Sequence, residues 1–527
     1  MPKSLRSVLA LLVAVLFATG VSTAHASTTE ASTPKSAAAV VPQPEPGSCP
    51  TQATTPKRDL RAMWVSSVVN IDWPSKTGLT PQQQKDELIG WLDLAVKQRH
   101  NAVILQVRPT ADAFWPSAYE PWSKYLTGTQ GQNPGWDPLK FAVEQSHARN
   151  LELHAWFNPY RISMDTNVNA LVPTHPARLH PDWVKAYGGK LYYNPGNPDA
   201  RRQSVNAILD AVKKYDIDGV HFDDYFYPYP VAGQTFDDSA EYAKYGNGMS
   251  LADWRRNNVT TFIREVRAGI QKYRPQAQFG VSPFAIWRNK ATDPEGSDTT
   301  AGAQTYDDLY ADTRKWVKDE LLDYITPQVY WSRGFAAADY EKVTDWWATQ
   351  VTGTHVHLYI GQATYKVAQN ADPKWSEPQE LSSHLDFNTK YPQVQGNIYF
   401  SAVQVKADRL GATSLLNEKW YSRPALTPAS PWLDDRRGAP RPPVVVKASG
   451  AKVTWVATPG ATSYAIYRVP TAKPRPCDLA DARNLVATVR DERGAVQQWT
   501  DPASGAGTYV VTAIDRVSNE SAGTVAR

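Results

Sequence analysis

Residues 218–228 read Asp-Gly-Val-His-Phe-Asp-Asp-Tyr-Phe-Tyr-Pro, and the reading of this stretch sets the terms for the rest of the chain. It is short, apolar at its centre and bounded by Gly219 and Pro228, which suits a buried strand better than a helix. Helical patterns flank it at 199–215 and 251–273. The same unit recurs in both directions. LRAMWVSS (60–67), AVILQVR (102–108) and LELHAWFN (151–158) precede it, while FGVSPFA (279–285), YITPQVYW (324–331), VHLYIGQ (356–362) and NIYFSA (397–402) follow. Helical segments such as 82–98 and 306–318 lie between them. Eight strands alternating with helices define an α/β fold, the (β/α)8 barrel. A doubly wound sheet usually has fewer strands and a Gly-rich phosphate turn; neither G-x-G-x-x-G after the first strand nor a P-loop is present.

The chain has 527 residues, more than one core usually supports. Lys3 and Arg6, the apolar run from Val8 to Ala18 and the Ala24-His25-Ala26 site read as a signal peptide over 1–26, so export is expected. The run is too short to span a bilayer, and no other segment suits a membrane span. Residues 27–57, rich in Ser, Thr, Ala and Pro, read as a disordered linker. The barrel is expected over 58–423, a proline-rich linker over 424–443 and a small all-β sandwich over 444–527. In that tail, AKVTWVATPGATSYAIYRV, LVATVR and GTYVVTAID alternate as strands and resemble fibronectin type III domains. The cysteines are Cys49 and Cys477; in an oxidising compartment a bridge between them is the hypothesis, two free thiols the alternative. A net charge of +4 gives no reason to expect nucleic acid, and a monomer is expected.

Barrel enzymes carry their chemistry at the carboxyl ends of the strands. In 218–228 a period of two puts His221 and Asp223 on one face, with Val220 and Phe222 on the other. The polar face should enter the barrel mouth, and Asp224 opens the loop. Adjacent carboxylates suit glycosidic chemistry, as nucleophile, base or support for an oxocarbenium-like transition state. An Asp pair can also start a turn and cap a helix, but here a run of aromatics follows. Asp223 and Asp224 are thus the expected catalytic residues. Expected substrate contacts at strand ends are Arg108, His154, Trp156, Asn158, Arg161, His221, Tyr225, Trp287, Arg288, Gln328, Tyr330 and Trp331. They combine hydroxyl-binding groups with flat rings, and 19 Trp and 26 Tyr make rings plentiful.

Glycosidases normally pair two carboxyl groups, yet strands five to eight end without Asp or Glu. Asp224 itself, Asp72, Asp112, Asp293, Glu295 and Asp298 are candidates for the acid, and spacing does not choose among them. Adjacent strand residues point to opposite sides, which counts against a simple Asp223/Asp224 pair. Glu152 begins strand three, at the stability end. His355-Val356-His357 is an H-x-H at the start of strand seven, away from the active face, and reads as packing. No metal or other cofactor is expected, and there is neither a barrel Cys nucleophile nor a G-x-S-x-G turn.

RAMWVSSVVNIDWPS, HAWFNPYR, DGVHFDDYFYP, GVSPFAIWRN, YDDLYADTRKWV and ITPQVYW together resemble the glycosyl hydrolase-like 10 family across residues 58–420. The resemblance implies a (β/α)8 barrel, an envelope or secreted location and glycosidase activity, in some relatives on peptidoglycan strands stripped of stem peptides. It places Asp223 and Asp224 in the active-site cleft. Family 18 chitinases share part of the strand-four pattern D-G-x-D-x-D-x-E, but here His221 replaces the middle Asp and Tyr225 the catalytic Glu, so their mechanism does not transfer. The resulting expectation is a glycoside hydrolase acting on a polysaccharide, peptidoglycan glycan first. The alternatives are a non-catalytic glycan-binding barrel and a metal-dependent carbohydrate deacetylase.

Overall fold

The computed structural model describes residues 39–45, 47–49, 55–434, 438–503 and 505–527; the expected signal segment lies outside the described residues. Eight parallel strands close into a barrel in chain order: β1 (Leu60–Val65), β2 (Ala102–Arg108), β3 (Glu152–Phe157), β4 (Gly219–Phe222), β5 (Gln278–Val281), β6 (Tyr324–Ile325), β7 (His357–Gln362) and β8 (Val394–Tyr399). β8 returns to β1 with Gly396 opposite Leu60. Strand alternation separates two cores. Leu60, Ala62 and Trp64 fill the interior with Ile104 and Ile398, whereas Met63 and Val65 face the helices beside Leu88 and Leu92.

A buried polar ladder also runs through the interior. His154 Nε2 donates to the Glu152 carboxylate (3.1 Å), and its Nδ1 pairs with the Tyr324 hydroxyl (2.9 Å), which also meets His221 Nδ1 at 2.9 Å. His221 Nε2 accepts from Trp64 Nε1 at 3.1 Å, and burial holds this imidazole well below its ordinary pKa, hence neutral.

The helices begin where sequence chemistry starts them. Pro81–Lys97 opens with a Thr80/Gln83 capping box and Pro81 in its first turn, and buries Leu88, Trp91, Leu92 and Ala95. Two strands are shorter than their sequence patterns. Pro283 and Pro327 lack the N–H that a ladder needs, so β5 stops at Val281 and β6 at Ile325. The helix expected over 306–318 is split into Thr305–Asp308 and Thr313–Lys318, because Tyr310 takes a left-handed φ of 51° and Asp312 caps the second piece. Between β3 and the helix Pro198–Lys214 the chain inserts a three-stranded antiparallel sheet, Arg161–Ser163, Val184–Tyr187 and Lys190–Tyr193. Its hairpin turns at Gly188-Gly189, both at positive φ.

The C-terminal region forms two antiparallel sheets. Val444–Ser449, Lys452–Val456 and Val496–Thr500 make one; Ser463–Val469, Leu485–Arg490, Thr508–Ile514 and Gly523–Val525 make most of the other. Val453, Trp455, Ile466 and Val511 share the core between them. The segment read as disordered, 27–57, is ordered at Val40–Val41, which adds a fifth strand beside Gly523–Val525 because Val41 is buried against Ala465 and Leu426. Cys49 and Cys477 form a disulfide. The stretch 424–443 is no loose linker at its start either: Leu426 is buried, and the Trp432 ring stacks on His355 while its Nε1 donates to Asp323 (2.9 Å).

These sheets dock on the end of the barrel where the strands begin. Arg516 reaches Asp216 (3.2 Å) and Asp218 (3.1 Å), and Lys57 and Arg58 reach Glu520 (2.7 and 3.4 Å). The opposite end, where the strands finish, is left open by them. Among the described residues no helix is long and apolar enough to cross a membrane.

Candidate active site

β4 ends at Phe222, so the strict alternation stops before the two aspartates. Asp223 turns toward the end of β3 and Asp224 toward the segment after β6. Asn158 Nδ2 donates to both oxygens of Asp223 (3.2 and 3.0 Å), and Trp156 Nε1 donates to its Oδ2 (3.2 Å). Gln328 Nε2 donates to Asp224 Oδ1 at 3.1 Å, and the Tyr229 hydroxyl makes a short bond to Asp224 Oδ2. Both carboxyls are nearly enclosed, at 4% and 8% exposure.

Burial pushes Asp223 up to about 7; the Arg161 guanidinium opposes this, the Asp224 charge adds to it, and the Asn158 amide opposes it. Burial also raises Asp224, against the Tyr229 and Gln328 hydrogen bonds and Arg161. Arg161 is itself fixed. Its Nε and Nη2 donate to the Pro109 carbonyl (3.2 and 2.9 Å), its N–H to Asn158 Oδ1 (2.9 Å), and its guanidinium lies 5.0 Å from the Tyr225 ring centre.

Half-buried rings line the rim around this pair. Tyr225 packs on Tyr229 (5.7 Å), Tyr229 on Phe284 (6.3 Å) and Phe284 on Trp331 (5.6 Å). A second group joins Tyr330, Tyr365 and Phe400, with Tyr330 lying 5.7 Å from Tyr365 and 6.3 Å from Phe400. Such rings offer flat apolar faces of the kind that pack on sugar C–H faces.

Of the residues expected from sequence, Trp156, Asn158, Arg161, Tyr225, Gln328, Tyr330 and Trp331 gather around Asp223 and Asp224. The others correct the expectation that they contact substrate. Arg108 is fully buried in a bidentate pair with Glu120 (2.7 and 2.5 Å) and also binds the Asn158 carbonyl, so it holds the end of β3 in place. His154 and His221 sit inside the barrel, in the ladder below the mouth. Trp287 donates to Asp312 (3.0 Å) and stacks on Trp346, and Arg288 grips Asp307 and Asp293.

The other acid candidates are engaged elsewhere. Asp72 accepts from Ser66 N, Ser401 Oγ and Val403 N, tying β1 to the loop after β8. Asp293, Glu295 and Asp298 pair with Arg288, Arg314 and Lys342. Asp112 is sealed, and burial pushes it to about 6. His355 and His357 pack on Trp432 at the strand-start end, and among the described residues no cluster of three metal-ligating side chains occurs. Sequence reasoning missed Tyr229, Glu120, Tyr365 and Phe400. Only Tyr229 left a signal, as part of the tyrosine-rich run after Asp224.

A model of the family described as glycosyl hydrolase-like 10 matches residues 59–377. "Glycosyl hydrolase YngK" of Bacillus subtilis (strain 168) is 48% identical over 480 residues, covering 88% of this chain and 92% of that protein. "Glycosyl hydrolase DigH" of Escherichia coli (strain K12) is 38% identical over 403 residues, covering 72% and 91%. Among solved structures, the PgaB (BpsB) glycoside hydrolase domain from Bordetella bronchiseptica aligns with a TM-score of 0.43 at 13% identity, over 69% of this chain and 99% of that one.

Proposed function

The chain belongs to the glycosyl hydrolase-like 10 family and is a glycoside hydrolase, and we propose that it is exported to cleave the glycan strands of peptidoglycan with Asp223 and Asp224 as its catalytic carboxyls. The observation that carries the assignment is the separation of these two groups: neighbours at the end of β4, they are held by different partners, and the Asp224 charge helps push Asp223 to about 7. Paired titratable groups pushed apart in this way divide into an acid and a charged partner. Asp223 keeps its proton near neutral pH and delivers it to the departing glycosidic oxygen. Asp224 ionises first and supports the positive charge that develops at the anomeric carbon, where water adds and returns a proton to Asp223. Tyr229 and Gln328 orient Asp224, Asn158 and Trp156 orient Asp223, and the ring-lined rim receives the sugars.

The peptidoglycan reading draws on the resemblance of the sequence motifs, and export on the N-terminal Lys3/Arg6, Val8 to Ala18 and Ala24-His25-Ala26 pattern. The test is product analysis by mass spectrometry, with peptidoglycan supplied intact and stripped of stem peptides. Wild type should create new reducing ends, and Asp223→Asn or Asp224→Asn should lower the rate by about 10³-fold. Unaltered glycan, despite sedimentation of the protein with the wall, would move the substrate to a different polysaccharide.

A further inference from the structure

Asp112, in the loop after β2, is an acid at the open end of the barrel that the proposed chemistry does not use. Its side chain is completely buried. Among the described residues it is the only buried carboxyl group with neither oxygen hydrogen-bonded. The Thr110 and Ser123 hydroxyls and the Arg108 guanidinium ease its burial from a distance, but Arg108 is committed to Glu120 (2.5 Å). An enclosed carboxylate without donors is costly unless a neighbouring positive charge neutralises it.

The group borders a cavity of about 30 Å³, room for one ion or water. Thr110, Gln130, Ser163, Asp165 and Lys124 make the rest of its polar lining, and Ile162 and Leu171 face it from the apolar side. Asp165 is half-buried. It accepts from Ser163 Oγ (3.1 Å) and from the Asn167 N–H (2.9 Å), which leaves lone pairs on both of its oxygens. Lys124 does not supply the missing charge. Its Nζ stops 4.0 Å from Asp165, beyond hydrogen-bond reach, with the side chain 41% exposed, and among the described residues no ion pair joins it to Asp112. Neither His nor Cys lines the cavity, so its donors are hard oxygens, and two carboxylates match a divalent charge.

We propose that this cavity binds a calcium-class divalent cation, with Asp112 and Asp165 as its charged ligands and the Thr110 and Ser163 hydroxyls beside them. The ion joins two loops that otherwise meet through Arg161. Pro109, whose carbonyl accepts from the Arg161 side chain, lies three residues before Asp112, and Arg161 itself begins the strand that leads to Asp165. The cation thus braces the guanidinium that faces Asp223, and it takes no part in bond cleavage. The inference stands apart from the choice of substrate.

The test titrates calcium chloride into the chelator-treated full chain, followed by calorimetry and by thermal melts. Wild type should bind with a Kd on the order of 10⁻⁴ M, and about 10 mM calcium should raise Tm by about 3 °C. Magnesium, which demands a tighter octahedral shell, should bind at least about tenfold more weakly. Asp112→Asn should abolish binding and melt no lower than calcium-free wild type, because it removes an unneutralised buried charge. Asp165→Ala, at a half-buried position, should weaken binding about tenfold in a chain that folds normally. Lys124→Gln should tighten it by removing a competing ammonium. No heat and no shift with wild type overturns the site, and so does a shift that survives in Asp112→Asn, which would put the calcium elsewhere. A Lys124→Gln chain that melts lower and binds no more tightly also overturns it, by making the lysine the occupant.

Discussion

Asp218 and Asp223 stand five positions apart at opposite ends of β4, both buried, and the protein treats them in opposite ways. At the strand's start, burial alone would raise Asp218. The Arg516 guanidinium, the His147 imidazole (2.8 Å) and the Leu153 N–H (2.8 Å) outweigh it and hold Asp218 below the ordinary carboxylate range. At the strand's end, Asp223 has amide and indole donors, while Arg161 lies outside ion-pair distance among the described residues, and burial prevails. A carboxylate that secures the docked β-sheets is kept charged; one placed in the cleft keeps its proton. The barrel divides stability and chemistry between its two ends, and here one short strand carries both.

That division has opposite signs with pH. Asp223 has a folded pKa of about 7, above its unfolded value, so its contribution to stability is complete below about 4 and is lost progressively as pH rises from there through 7. That rise corresponds to about 4 kcal/mol as an upper bound. Asp223→Asn should therefore match wild type in stability near pH 3 and exceed it at pH 9, in denaturant titrations at the two pH values. A constant difference across that range would break the contrast.

Asp218 has a depressed folded pKa, so its contribution is present above about 4 and fades as pH falls through the folded value. Asp218→Asn leaves Asp216 as the one carboxylate paired with Arg516 among the described residues and should cost about 3 kcal/mol at pH 7. The cost should shrink in acid, and the folded fraction should still cleave glycan at the wild-type rate. Lost activity at full folding would place the strand-start end in the chemistry.

A smaller effect sharpens the comparison at the cleft. Asn158 lowers the Asp223 pKa through its hydrogen bonds, so Asn158→Ala should raise that pKa further. The alkaline limb of the kcat/KM profile, set near pH 7 by the acid, should move to higher pH, while the maximal rate falls about tenfold as Asp223 loses its support. A lower rate with an unmoved limb would show that Asp223 is not the titrating acid.

The fold was legible because strand patterns, buried on both faces and bounded by turn residues, repeat eight times; Pro283 and Pro327 shorten two of them in a way that residue type already implies. That Asp223 and Asp224 lie together where β4 ends was legible from the strand pattern. What the sequence hid was depth. His154 and His221 share the inward face with the functional residues, but alternation does not say which layer of the barrel they occupy, and they lie below the mouth. Arg108 looked like a substrate contact because its partner, Glu120, lies in the loop beyond β2, where no periodicity marks a pairing. The partners of the other acid candidates were hidden in the same way: Asp72 meets Ser401 and Val403, Glu295 meets Arg314 and Asp298 meets Lys342, contacts that no local spacing announces.

Arg288 provides the mildest test of this distinction between nearness in pattern and presence in the cleft. Its guanidinium donates to Asp307 from two nitrogens (2.8 and 2.6 Å) and to Asp293 from the third (3.0 Å), and it lies 4.3 Å from the Tyr306 ring centre. With these donors committed to its own loop, it has little to offer a sugar hydroxyl. The partners are partly exposed, so losing them should cost no more than about 1 kcal/mol. Arg288→Ala should accordingly change kcat/KM less than about threefold, against the thousandfold loss expected at Asp223. A fall of tenfold or more with unchanged stability would mean that the loop opens on binding and hands Arg288 to the substrate, and the cleft would then extend beyond β5.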